Sequence, residues 1–97
     1  MNITRGLYKH SKSGKLYMVD SVGKHSETLE DMVSYHAMYI DPEFGARANW
    51  VRPAKMFLEE VEVNGLMVSR FEKISQNESV KVLKDELLKL MSETNDQ

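Results

Sequence analysis

The sequence contains no cysteine. Disulfide stapling, thiol nucleophiles and thiolate zinc sites are therefore excluded together, and a reducing cytoplasm is the expected location. No apolar run reaches membrane-spanning length, and the opening MNITRGLYKHSKSG has no hydrophobic signal-peptide segment. Excess charge is missing too: 13 basic and 15 acidic residues give a net charge of -2. That is not the strongly positive balance of a general nucleic-acid binder. Proline occurs twice and glycine five times, so each is informative where it stands.

What is present is one domain's worth of chain. Its 97 residues are 41% hydrophobic, enough for a single modest core and too few for two. Charge is uneven along it. Residues 1–24 carry Arg5, Lys9, Lys12, Lys15 and Lys24 against Asp20 alone, whereas residues 74–97 hold three lysines and five acids. A local basic patch at Lys9, Lys12 and Lys15 is a candidate surface for phosphate.

The periodicity is mostly that of strands. Val33, Tyr35, Ala37 and Tyr39 alternate with Met32, Ser34, His36 and Met38, the pattern of a strand with one face in a core. Gly6 to His10 and Lys15 to Val19 read as a hairpin around the turn Ser11–Gly14, with Gly23 interrupting the second strand. Ile40 to Gly45 is a turn around Pro42. Pro53 holds Arg52 extended and opens one helical turn, in which Met56 and Phe57 are expected to plug the core. Asn64-Gly65, between Val61 and Val68, is the favoured pair of a type I′ hairpin, and its returning strand is expected to run on through Arg70, Phe71 and Glu72.

From Ser75 the period becomes helical, with Val80, Leu83, Leu87 and Leu90 or Met91 on one stripe and Ser75 or Asn77 as the N-cap. Such a helix needs a partner, either the sheet or a second molecule. The last residues, SETNDQ, are expected to fray. The expected fold is mainly β: a small, SH3-like, strongly bent antiparallel barrel over residues 1–73, followed by a C-terminal amphipathic helix and tail over 74–97. A split, open sheet with the helix across it is the competing architecture.

Candidate functional residues fall into three groups. His25, Ser26, Glu27 and Thr28 put donors and acceptors side by side at a strand entrance, either to hold a polar ligand or to cap a turn. Arg52 and Arg70 offer rigid guanidinium forks, suited to carboxylate or phosphate, or to a structural pair with Glu27 or another acid. Four tyrosines and one tryptophan are many polar-tipped rings for this length. Tyr8, Tyr17 or Trp50 are candidates to stack on a ligand at the surface. His10, His25 and His36 lack metal-ligand spacing, so neither a metal nor a cofactor is expected. No glycine-framed nucleophile accompanies His25, which leaves hydrolysis an outside reading and enzymatic activity undecided.

Five stretches in order resemble one family. Gly6-Leu7-Tyr8-Lys9-His10 is similar to the GxYxH opening of the small bacterial DUF1653 family, and His25-Ser26-Glu27-Thr28 to its HSET signature. Val33 to Tyr39 resembles its VxYxxxY segment, Trp50-Val51-Arg52-Pro53 with Met56-Phe57 its WVRPxxMF stretch, and Arg70-Phe71-Glu72 its closing RF. The resemblance covers about residues 6–72. The turn Ser11–Gly14 is one residue longer than the family's usual HxKG, and the segment Phe44 to Asn49 is also longer. The resemblance implies that His25, Glu27, Arg52 and Arg70 belong together around a polar pocket, with Tyr35 or Trp50 as its ring wall. It names no function.

Two expectations follow. The first is a binding module for nucleic acid or a nucleotide-like polar ligand. The second is a protein-interaction module that dimerises or docks through Val80, Leu83 and Leu87.

Overall fold

The computed structural model describes residues 3–94, and within its last helix the side chains of Glu86, Leu90 and residues 92–94 are left aside. β1 (Gly6–His10) and β2 (Leu16–Lys24) form the first hairpin, closed by the Gly14 N–H bonding the His10 carbonyl at 2.7 Å. Gly23 does not interrupt β2: it pairs with Met32 inside the ladder to β3 (Asp31–Ala37), where any extended residue fits. A bulge at Asp20 shifts the register between Val19 and Ser21. Asp20 there meets His36, whose Nδ1 lies 2.8 Å from a carboxylate oxygen, so His36 is a partnered histidine on the outer face.

After β3 the chain makes a small loop from β4 (Ile40–Asp41) and β5 (Gly45–Ala46). The Asp41 carboxylate turns it by accepting the N–H groups of Glu43 and Phe44 at 2.8 and 3.0 Å. β6 (Asn49–Pro53) then pairs with β3, and Pro53 leads into the single turn α1 (Ala54–Phe57). Ala54 and Phe57 enter the core, whereas Met56 stays exposed, because a one-turn helix has only one inward face.

β7 (Glu60–Val63) and β8 (Leu66–Ser69) form the expected Asn64-Gly65 hairpin, with φ +52° and +81° as a type I′ turn requires. The returning strand does not continue unbroken. The chain steps at Arg70, and β9 (Phe71–Lys73) leaves the hairpin to pair with β1.

The main sheet therefore has five antiparallel strands in the order β6-β3-β2-β1-β9. Its inner face carries Tyr8, Val19, Val33, Tyr35 and Phe71, and Ala54 and Phe57 of α1 pack over them. A flat sheet would hold β3 and β9, three strands apart, about 14 Å from each other. Instead the rings of Tyr35 and Phe71 are 5.5 Å apart, so the sheet curls sharply around its core. No pairing joins β6 to β9 among the described residues, so the curl is open and the hydrogen-bonded closure of a barrel is not reached.

α2 (Gln76–Thr94) takes the first of the two candidate caps, Ser75 rather than Asn77: the Ser75 hydroxyl accepts the Glu78 N–H at 3.2 Å. Val80, Leu87, Leu88 and Met91 are exposed along it. The expected fraying of the tail falls partly at 95–97, outside the described residues. No described helix is long and apolar enough to cross a membrane.

Candidate functional site

Strand alternation and register together decide which side chains meet inside the curl. Tyr8 faces Tyr17 across the first hairpin, and His10, two residues on, shares their face and pairs with Phe71 of β9. Tyr35 of β3 faces Trp50 of β6, and Arg52 follows Trp50 on the same side. At the open end of the curl these positions converge. A pocket of about 170 Å³ is lined by His10, Tyr17, Tyr35, Trp50, Arg52 and Phe71, contributed by all five strands of the sheet.

The walls are rings held edge to face. Tyr17 meets Tyr35 at 5.5 Å and Phe71 at 5.8 Å. Phe71 is fixed from behind by stacking on Phe57 at 4.2 Å. Trp50 is backed by Phe44 of the β4–β5 loop, 5.2 Å away. Edge-to-face and offset contacts of this kind set ring orientation as well as burying area. The Tyr17 hydroxyl is tied to that of Tyr39 at 2.6 Å, and Lys15 places its ammonium 4.7 Å from the Tyr39 ring. Burial, then the Tyr39 contact, raises the Tyr17 pKa, so the Tyr17 hydroxyl stays protonated.

Arg52 is the charged member of the wall. It is half-buried, and its guanidinium carbon lies 5.5 Å from the Phe71 centroid. Among the described residues no carboxylate comes within salt-bridge distance of it. Its effect reaches its neighbours: burial raises the Tyr35 pKa, and the adjacent guanidinium pulls it part of the way back. Arg70 stands behind the pocket. It pairs with Glu59 at 3.2 Å while its buried Nε has no partner.

His10 completes the donor set. Its Nδ1 accepts the Ser13 N–H at 3.3 Å and lies 3.1 Å from the Ser13 hydroxyl. In the neutral ring this assigns the proton to Nε2, a donor with no protein partner among the described residues. Burial first, then Arg52, Arg70 and Lys12, lowers the His10 pKa and favours that neutral form.

Sequence-based expectations divide cleanly here. Tyr35, Trp50 and Arg52 line one pocket, and Arg70 is close enough to act on His10. His25, Ser26, Glu27 and Thr28 do not line it. They form the turn from β2 to β3, where the His25 Nδ1 accepts the N–H groups of Glu27 and Thr28 at 3.1 and 3.2 Å, and the Thr28 hydroxyl accepts that of Glu30 at 3.2 Å. Arg52 is level with Val33 and Val22, so His25 lies two strands away and about 10 Å further along β2. The expected union of His25 and Glu27 with the two arginines is therefore not formed, and neither arginine pairs with Glu27.

Tyr8 is buried in the core rather than presented at the surface. Lys12 and Lys15 sit in and beside the turn at the pocket's rim, whereas alternation turns Lys9 to the opposite face from His10. His10 and Phe71 enter the pocket without having been singled out as site residues. Their shared face with Tyr8 and Tyr17 was readable in β1, but the pairing of β1 with β9 was not. No group of three or more metal-ligating side chains occurs among the described residues.

No curated protein and no solved structure matches the chain. A family model described as a protein of unknown function, DUF1653, matches residues 6–73, the whole five-stranded sheet and all six pocket residues, and the chain belongs to that family.

Proposed function

We propose that this chain is a non-catalytic binding module that receives one flat, acceptor-bearing group of a nucleic acid or nucleotide-like ligand in the pocket around Arg52. The observation that carries this reading is Arg52 itself: a half-buried guanidinium among aromatic rings, with no carboxylate partner among the described residues. A charge taken partly out of water needs an acceptor, and a ligand that brings one recovers that cost. The size suits one flat ring system rather than a larger ligand, because a cavity of about 150 Å³ is known to hold benzene and drug-sized sites begin near 300 Å³. Lys12 and Lys15 at the rim supply the local positive charge for phosphate. The strand order, with the last strand β9 returning beside β1, supports an SH3-like description of the curl.

Trp50 is the single tryptophan and lines the pocket, so its fluorescence reports occupancy directly. Titration with short single-stranded oligonucleotides is expected to change that signal in wild type and leave it flat in Arg52→Ala. An unchanged signal in the wild type at millimolar oligonucleotide contradicts the reading.

A second reading rests on a different observation. Val80 and Leu87 of α2 are 63% and 57% exposed, and with Leu83 they repeat at spacings of three and four, the pattern of a self-pairing helix. Homodimerisation through α2 predicts a mass that doubles with concentration in light scattering and returns to that of a monomer in Leu83→Asp. A monomer across the whole concentration range contradicts it.

A further inference from the structure

We propose that the ring read by this pocket is guanine, taken by the edge that carries O6 and N7. The inference rests on the nucleic-acid reading above and makes it specific. The polar groups that the walls offer are predominantly donors. Arg52 lines the pocket with a planar fork of N–H groups, one of which is shared with the Tyr35 hydroxyl, and His10, with Nδ1 committed to Ser13, keeps its proton on Nε2. The Tyr17 hydroxyl is already engaged by Tyr39.

A donor fork favours a base edge with two adjacent acceptors. Guanine has that edge in O6 and N7, whereas adenine pairs its N7 with an amino donor. Cytosine sets two acceptors, N3 and O2, side by side on its Watson–Crick edge, but closer together than O6 and N7 and beside its amino donor, which makes it the nearest competitor. Uracil or thymine offers a single O4 flanked by N3–H or carbon. Ring walls at Tyr35, Trp50 and Phe71 supply the stacking that holds an unstacked base, which any base would receive equally. Stacking therefore gives affinity, and Arg52 gives the choice. One ring system fills the pocket, so the sugar and phosphate lie outside it, next to Lys12 and Lys15.

Pentanucleotides with one variable central base in a fixed context, in both RNA and DNA form, test this by Trp50 fluorescence. Guanine is expected to bind about tenfold to a hundredfold tighter than adenine, cytosine or uracil. Inosine, which keeps O6 and N7, should bind like guanine, and 7-deazaguanine should fall to the level of adenine. Arg52→Lys, which keeps the charge but loses the fork, should bind all four bases alike while its amide spectrum remains that of the folded protein. Guanosine monophosphate is the companion probe. Equal affinity of nucleotide and pentamer identifies a free nucleotide as the source, and a tighter pentamer identifies a strand; either result, with the guanine preference, supports the assignment. Equal binding of all four bases by the wild type, or full retention by 7-deazaguanine, overturns it while the binding-module reading stands. Binding of none overturns both.

Discussion

Arg52 separates stability from function at the level of a single side chain. A partly desolvated guanidinium with no carboxylate within salt-bridge distance among the described residues contributes little to folding, so Arg52→Met should shift the unfolding free energy by no more than about 1 kcal/mol. The same substitution removes a charge-assisted contact to a ligand and should weaken binding about tenfold or more. Chemical denaturation and the Trp50 titration, run on one preparation, measure both quantities. A large loss of stability with unchanged binding would make Arg52 structural. His10 carries a pH dependence of definite sign. Its pKa is lowered in the fold by burial and by Arg52, Arg70 and Lys12, so the unfolded chain takes up a proton first as pH falls below about 6.5. Its contribution to stability is present above that pH and is lost as pH falls through the lowered folded value. Stability measured from pH 7.5 to 5 should fall less steeply in His10→Gln than in the wild type. Identical slopes would remove His10 from the account.

At the level of elements, the β2–β3 turn shows what the HSET segment does in this fold. The His25 ring accepts two backbone N–H groups, and Leu29 closes the turn at φ +61°, a left-handed conformation costly for a leucine with its side chain exposed. His25→Ala should cost about 1 kcal/mol through the lost caps. Leu29→Gly should gain up to about 1 kcal/mol, as relief of the backbone outweighs glycine's greater freedom when unfolded. Thermal melts of both variants check the pair, and opposite signs are the expected result. Elements of this kind were legible from sequence because their causes are local. Alternation from Val33 to Tyr39 marked the core strand, which ends two residues earlier at Ala37, Asn64-Gly65 marked the hairpin, Pro53 the helical turn, and Ser75 or Asn77 the cap, of which Ser75 is the one used. Gly23 was misread because a glycine inside a ladder has no local mark that separates it from one in a turn. Met56 was misplaced because a single turn shows too little periodicity to fix its buried face.

The pocket belongs to the whole molecule. It exists because the sheet curls until Tyr35 and Phe71 touch, and because β9 leaves its own hairpin to pair with β1. Neither fact has a local signature, and contacts so distant in sequence are what pattern reading cannot supply. Trp50 and Arg52 could be named from residue type and Tyr35 from the family resemblance, but their partners His10 and Phe71 waited on the sheet order. Charge acts at the same scale. The chain is acidic overall, yet Arg52, Arg70, Lys12 and Lys15 gather at one end of the curl, so strand binding should weaken with salt over a limited range. A pocket filled by one base with two or three phosphates at its rim predicts a slope of log affinity on log salt near -1.4 to -2. The most direct test is an amide-resolved NMR titration with a guanine-containing pentanucleotide at low and moderate salt. Shifts should cluster on residues 10–17, on Tyr35, on Trp50 to Arg52 and on Phe71, weaken as salt rises, and leave the turn from His25 to Glu30 unmoved. Shifts confined to that turn, or none at all, would contradict a ligand pocket at Arg52.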